Sequence, residues 1–456
     1  MNLSTLTAIS PIDGRYGEKL IDLRDLFSEF ALMRYRLQVE IRWLKTLADY
    51  PEIQEISKLS FHAEQFLEKL IDQFSLQDAQ RIKQIEATTQ HDLKAIEYFL
   101  KEKCAHQEEL MRVLEFIHFG CTSEDINNVS YALMIKTARQ QYLLPLVDAL
   151  IDRLTRMSRE YTDVTMLART HGQPASPTTL GKEIMNFVER LKYCEKRIID
   201  ISIFGKFNGA TGNYHALSTA YPTLNWPLIA KHFIGAFDLE FNAYTTQIEP
   251  HDWMADLSNA IAHLNTVLIN FCQDIWLYIA QNYLVRKTFY QEIGSSVMPH
   301  KINPIEFENA EGNLGMANAL FEFFAKKLPI SRLQRDLSDS TVLRNLGVAF
   351  AHSILAYQSI ESGLSRLSPN KEKLDDDLNL HWEVLAEAIQ TVMRRYNLPE
   401  SYERLKTFSR GKIITRELLH QFIDTLELPG AEKIKLKTLT PQNYVGFANI
   451  LTKNTT

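Results

Sequence analysis

The sequence predicts an all-α protein, a long central helical bundle flanked by smaller helical lobes at its N- and C-terminal ends. Three observations carry that expectation. Glycine (17) and proline (15) are scarce in 456 residues, glycine at about half its usual frequency, so turn-formers are too few for many short strands. Apolar residues recur in steps of three and four over long stretches. The breaks between those stretches are few and polar.

From the N-terminus, Phe30, Met33, Leu37, Ile41, Leu44 and Leu47 mark one face of a first helix, and the stretch from Glu86 to Lys103 gives another. In the centre, Leu180, Ile184, Phe187, Leu191, Cys194, Ile198 and Ile201 repeat the pattern. Leu257, Ile261, Leu264, Leu268, Phe271, Ile275 and Tyr278 then alternate steps of four and three, the seam of a bundle. No glycine or proline lies between His251 and Ile293, so a single helix there would be on the order of 60 Å long at 1.5 Å per residue. Val267, Ile269, Trp276 and Leu277 lie off the seam, which makes this helix apolar on more than one face and calls for neighbours on several sides.

Loops joining long helices are expected at "RTHGQPASPTT" (169–179), "GKFNGATGN" (205–213), "EIGSSVMPHKINP" (292–304) and "LPISRLQRDLSDST" (328–341). After about Gly363 the pattern shortens. The reading is an N-terminal helical domain over 1–112, a central long-helix bundle over 113–364 and a C-terminal helical domain over 365–456.

Composition narrows the function. Apolar residues make up 45% and charged residues 23%, as in an ordinary globular protein. The net charge of −6 comes from interspersed acids and bases, so no basic face recommends a nucleic-acid partner. Cys104, Cys121, Cys194 and Cys272 are far apart and lack zinc spacing, which suggests neither disulfides nor a metal site. The opening "MNLSTLTAISPIDGRYGEKL" has neither the basic start nor the apolar stretch of a signal peptide, and no charge-free run approaches a membrane span. A cytoplasmic protein is expected, with no membrane partner.

Reactive-looking groups concentrate in three loops, "CTSEDIN" (121–127), "RTHGQ" (169–173) and "GSSVMPHKINP" (294–304). No cofactor motif accompanies them: the lysine of "GKFNGATGN" comes too early for a P-loop, and "GSSVMP" is not the GxSxG elbow. That leaves cofactor-free acid–base chemistry. Ser295 or Ser296 can serve as a base only if its alkoxide is stabilised, which Lys301, backbone N–H groups and a helix following Pro304 can do. Lys301 and Asn303 can also hold a carboxylate while negative charge develops on it, and His171 can release a proton near neutral pH. Each piece alone has a plainer reading: "TSED" suits Thr122 or Ser123 as an N-cap, and a lone His91, His118 or His171 is more often packed and hydrogen-bonded. The combination suits proton abstraction beside a carboxylate with loss of a leaving group.

"GSSVMPHKINP" resembles the signature loop of the fumarase/aspartase superfamily, GSSxMPxKxNP, at every defined position. Within it, "SPIDGRY", "TTQHD", "TSEDINN", "RTHGQPA", "TTQIEPHD", "MPHKINP" and "SRLQRDLSDSTVLRN" are similar, in order, to the adenylosuccinate lyase family of bacterial type. The similarity continues through "HWEVLAEAIQTVMRR". The resemblance implies a helical homotetramer whose active sites are each shared among three chains. It implies elimination of fumarate from two small molecules, adenylosuccinate, giving AMP, and succinylated aminoimidazole carboxamide ribotide, giving AICAR, with no cofactor. By it, Ser295 is the base, His171 the acid and Glu308 the carboxylate supporting that histidine. Arg15, Tyr16, Arg335, Ser340 and Arg344 fall at phosphate- and ribose-binding positions, where arginine forks suit a phosphate dianion. Gln90, His91 and Asp92 match nucleotide contacts, and Thr122, Ser123, Gln247, Ser296, Lys301 and Asn303 match contacts to the succinyl carboxylates and other polar groups. One departure is Gln90, where bacterial members usually carry asparagine; the amide is kept but reaches further.

A non-enzymatic helical scaffold would explain the helices and leave these loops unexplained. A fumarase or aspartase would have no use for the phosphate-binding arginines. Argininosuccinate lyase also breaks a carbon–nitrogen bond to give fumarate, but His300 and "SDSTVLRN" set this chain apart from it by resemblance.

Overall fold

The computed structural model describes residues 3–287, 298 and 302–453, most of them helical. The chain divides into two compact units. The first comprises Met1–Leu146, Cys194–Thr266 and Gly312–Ala356; the second comprises Val147–Tyr193, Val267–Glu311 and Tyr357–Thr456.

The first expected helix runs from Glu29 to Ala48, capped by Ser28, whose oxygen accepts the Ala31 N–H at 3.1 Å. It buries Met33, Leu37, Ile41, Leu44 and Leu47. The expected helix from Glu86 to Lys103 is instead two, Leu76–Thr89 and Asp92–Cys104. Gln90 turns left-handed at φ 52°, and His91 becomes the next N-cap, its Nδ1 accepting the Lys94 N–H at 3.1 Å. Periodicity missed the break because both residues are polar and the apolar face resumes beyond them.

Leu180–Asp200 buries its seam from Leu180 to Ile198, with Ile201 beyond the helix end. The longest central helix, Asp252–Ala280, buries Leu257, Ile261, Leu264, Leu268, Phe271 and Ile275. It spans 29 residues, about 44 Å, and does not continue to Ile293. What ends it is Asn282 at φ 61°. The Tyr283 N–H reaches back to the Tyr278 carbonyl at 2.8 Å, and the two rings stack with centroids 6.4 Å apart. This is a Schellman stop built on asparagine in place of glycine.

"RTHGQPASPTT" also departs from expectation. It is not a loop but a β-hairpin, Thr165–Thr170 paired antiparallel with Gln173–Thr179. His171 (φ 53°) and Gly172 (φ 74°) form its two-residue turn, the doubly positive geometry that matches strand twist. The other described strands form two further two-stranded pairs.

In the first unit, Trp43 packs tilted against Phe207 and edge-on to Phe233, with centroids 4.3 and 5.2 Å away, and its indole N–H donates to the Phe119 carbonyl at 2.9 Å. The helices there also share buried polar pairs, Asn265 to Ser353 at 3.0 Å and His352 to Asn313 at 2.8 Å. In the second unit, Leu378, Leu385, Ile389, Met393, Leu419 and Ile423 form a core that takes in Leu167 from the hairpin. Among the described residues no helix is long and apolar enough to cross a membrane.

Candidate active site

The first unit holds most of the expected binding residues, and buried charge organises them. "TSEDINN" opens the helix Ser123–Ala138 with Thr122 as N-cap, its N–H donating to Asp125 Oδ2 at 2.8 Å. The fully buried Asp125 also accepts the Asn208 N–H at 2.9 Å and the Gly209 N–H at 3.1 Å, and it pairs with the equally buried Lys206 ammonium at 2.8 Å. Lys206 therefore does not face a phosphate: it neutralises the carboxylate that ties "GKFNGATGN" to "TSED". Gly212 (φ 81°) completes this loop at a point where a Cβ would lie 2.3 Å from the Thr245 carbonyl oxygen. Gln247 is fastened on both sides, its amide donating to the Ala210 carbonyl at 3.0 Å and its backbone N–H to the Gln334 carbonyl at 3.3 Å.

A second network runs through the expected phosphate and nucleotide positions. Arg344 contacts Glu29 at 2.6 Å and Asp92 at 3.2 Å. The same Asp92 oxygen takes the buried Arg36 guanidinium at 2.9 Å. Arg36 Nε then donates to Asn127 at 2.9 Å, Asn127 donates to Glu124 at 2.9 Å, and Arg335 lies 3.0 Å from that same Glu124 oxygen. Asp92, Arg335 and Arg344 thus belong to one chain of charges. Burial opposes ionisation of Asp92, but Arg36 and Arg344 outweigh it and hold its carboxyl below the usual range.

Ser340 is set by a third cluster. Its backbone N–H donates to Asp339 Oδ1 at 2.7 Å, and Asp339 Oδ2 lies 3.6 Å from Nε2 of the buried His251. On the other side of that ring, Glu249 Oε2 lies 3.6 Å from Nδ1 and accepts the His251 backbone N–H at 2.8 Å. Burial resists charging His251, yet Asp339 and Glu249 overcome it and raise the imidazole to about 9.

Of the remaining nucleotide positions, Arg15 is exposed and Tyr16 half-buried, just before the short helix Gly17–Leu20. Gln90 folds its amide back onto the Ala87 carbonyl at 2.8 Å. Because its Nδ1 caps the helix, a neutral His91 ring carries its proton on Nε2, on an exposed side chain. Ser123, half-buried, is the first residue of its helix.

The second unit holds His171, Asn303 and Glu308. His171 is exposed at the hairpin tip, and the hairpin is anchored behind it: Arg169 donates to Gln281 at 3.2 Å and to Asp377 at 3.3 Å, and Asp377 also takes the Tyr283 hydroxyl at 2.7 Å and the Lys373 ammonium at 2.6 Å. Asn303 is held through its carbonyl, which accepts from Arg286 at 2.7 Å just before the helix Ile305–Lys327. Glu308, exposed on that helix, accepts the Trp276 indole N–H at 3.1 Å, and among the described residues no hydrogen bond joins it to His171. Ser295, Ser296 and Lys301 lie outside the described residues.

Sequence reasoning passed over Glu29, Arg36, Glu124, Asp125, Lys206, His251 and Asp339. The available signal was charge at positions of apolar periodicity: Arg36 beside Leu37, and Glu124 and Asp125 beside Ile126, are all buried.

Comparison with known proteins places the chain among lyases. A family model described as lyase matches residues 14–318, and one described as adenylosuccinate lyase C-terminal matches 331–445. The adenylosuccinate lyase of Haemophilus influenzae is 52% identical over 98% of both chains, that of Vibrio cholerae 54% over 99% of both, and that of Escherichia coli 52% over 98% of both. Among solved structures, a fumarate lyase from Mesorhizobium superposes with a TM-score of 0.77 over 95% of this chain and 97% of that one, at 16% identity. A 3-carboxy-cis,cis-muconate lactonizing enzyme from Pseudomonas putida gives 0.75 over 95% of both, at 18% identity. At those identities the structural likeness is one of fold.

Proposed function

The chain belongs to the adenylosuccinate lyase family of lyases, and from that premise we propose that it eliminates fumarate from adenylosuccinate, giving AMP, and from the succinylated aminoimidazole carboxamide ribotide, giving AICAR. The observation that carries this reading is the charge network joining Asp92, Arg335 and Arg344. It gathers two guanidinium forks in the first unit, suited to the phosphate common to both substrates.

The chemistry is a β-elimination. Ser295, as alkoxide, removes the proton from the succinyl carbon beside a carboxylate. The electron pair left behind becomes the carbon–carbon double bond of fumarate as the carbon–nitrogen bond breaks, and His171 delivers a proton to the departing nitrogen. Lys301 and Asn303 bind the carboxylate on which negative charge builds, an interaction that strengthens toward the transition state. A histidine on a two-residue turn suits the acid's task, because the anchored hairpin fixes the backbone while the ring stays accessible.

In this reading the protein is a homotetramer. His171 and Ser295 reach one site from different chains, and Glu308 supports the histidine of a neighbour. The exposed Trp276 and Leu277, large apolar side chains on the helix Asp252–Ala280, support such packing. An absorbance assay of the purified protein with adenylosuccinate, the succinylated ribotide and argininosuccinate tests the proposal. Turnover of the first two and not the third is expected; turnover of argininosuccinate alone would overturn it.

A further inference from the structure

Arg344 is not waiting free for a ligand. Its Nη1 lies 2.6 Å from Glu29 Oε2 and its Nη2 lies 3.2 Å from Asp92 Oδ2. Asp92 is committed on its other side to Arg36, whose side chain is 3% exposed. Glu29 has no such second partner: among the described residues Arg344 is the only cation within ion-pair distance of it. The Glu29–Arg344 pair is also open to solvent, with the two side chains 40% and 39% exposed. Two carboxylates and two guanidinium groups make the cluster neutral as it stands.

The backbone keeps Glu29 in place. Phe27 packs so tightly on the helix Leu346–Leu364 that a Cβ on Gly347 would lie 2.4 Å from the Phe27 Cβ, and the Phe27 and Phe350 rings stack with centroids 5.3 Å apart. Ser28, its oxygen accepting the Ala31 N–H, then starts the helix with Glu29 as first residue. Both ends of the ion pair are therefore carried on packed elements, and only side-chain rotation separates them.

We propose that Glu29 is a built-in rival for Arg344, one that holds the guanidinium until a phosphate dianion displaces it and so lowers nucleotide affinity by the cost of parting the pair. This rests on the reading of Arg344 as a phosphate ligand. A carboxylate and a monoanionic phosphate diester each offer Arg344 one negative charge, no more than Glu29 already supplies at 2.6 Å. A phosphate monoester near neutral pH offers close to two charges and a bidentate oxygen pair, so it alone gains by the exchange. Glu29→Gln keeps the side-chain shape and removes the competing charge.

Calorimetric titration of the full-length protein with AMP, and with its monoanionic methyl ester, tests the idea in four forms: wild type, Glu29→Gln, Arg344→Ala and the double variant. Glu29→Gln should bind AMP about three- to fivefold tighter, the size expected for releasing an exposed pair. The methyl ester, which does not displace Glu29 in the wild type, should gain by no larger a factor than AMP. In the Arg344→Ala background the same change should give no gain for either ligand, which a merely structural role for Glu29 would not produce. Unchanged or weaker AMP binding by Glu29→Gln, alongside a clear loss in Arg344→Ala, would overturn the rivalry and leave the phosphate reading standing. Unchanged binding by Arg344→Ala would overturn both.

Discussion

His251 and Asp339 form a buried ion pair, Nε2 of one 3.6 Å from Oδ2 of the other, although 88 positions of sequence separate them. Glu249 flanks the imidazole on its other edge, Glu124 adds to the field, and Arg335 faces Asp339. The carboxylates of Glu249 and Asp339 are held below their ordinary range against the cost of burial, mainly by this histidine. The ring therefore links the start of the Asp252–Ala280 helix to the segment carrying Arg335, Ser340 and Arg344.

That geometry makes stability depend on pH. The folded value of His251 is raised to about 9, above an unfolded value near 6.5, so its contribution is fully present below about pH 6.5 and lost as pH rises through about 9. Thermal unfolding midpoints should fall across that window in the wild type and fall less in His251→Gln. Equal slopes in the two proteins would show that another group titrates.

Lys206→Met should be costly. It strands the Asp125 carboxylate in a site with no exposed surface, and breaking a buried pair from one side typically costs about 3–5 kcal/mol. Urea denaturation followed by circular dichroism reads the loss; a change below about 1 kcal/mol would mean the three backbone N–H groups suffice for that charge.

Ser295→Ala should abolish turnover while substrate affinity stays within roughly tenfold, since a group acting only toward the transition state lowers kcat without weakening ground-state binding. Near-normal kcat would pass the role of base to Ser296 or a histidine.

Arg335→Ala and Arg344→Ala should each raise KM for both substrates by similar factors, because the same ribose phosphate loses the same charge-assisted bonds. A large effect on one substrate alone would move that arginine off the phosphate.

Inactive Ser295→Ala and His171→Ala proteins, unfolded together and refolded as a mixture, should regain roughly a quarter of wild-type activity, the chance that a site in a symmetric assembly draws both intact residues from independent chains. Verified hybrid tetramers without activity would refute the shared site.

By itself the sequence determined the helical class, the faces of the central helices and the family. Those are local signals: a face repeats every three or four residues, and a signature loop is read from eleven consecutive letters. Tertiary structure decided where the helices end and what their charges do. Gln90 and Asn282 turn left-handed with no glycine to announce it, because the contacts after each turn stabilise the stop: the His91 cap in one case, the stacking of Tyr278 on Tyr283 in the other. The hairpin at His171 follows from strand pairing and from Leu167 reaching a core built far along the chain. Lys206 beside Asp125 and His251 beside Asp339 were invisible for one reason. A charge reads as solvent-exposed in a linear pattern, and only a fold that brings its opposite within a few ångströms makes its burial tolerable.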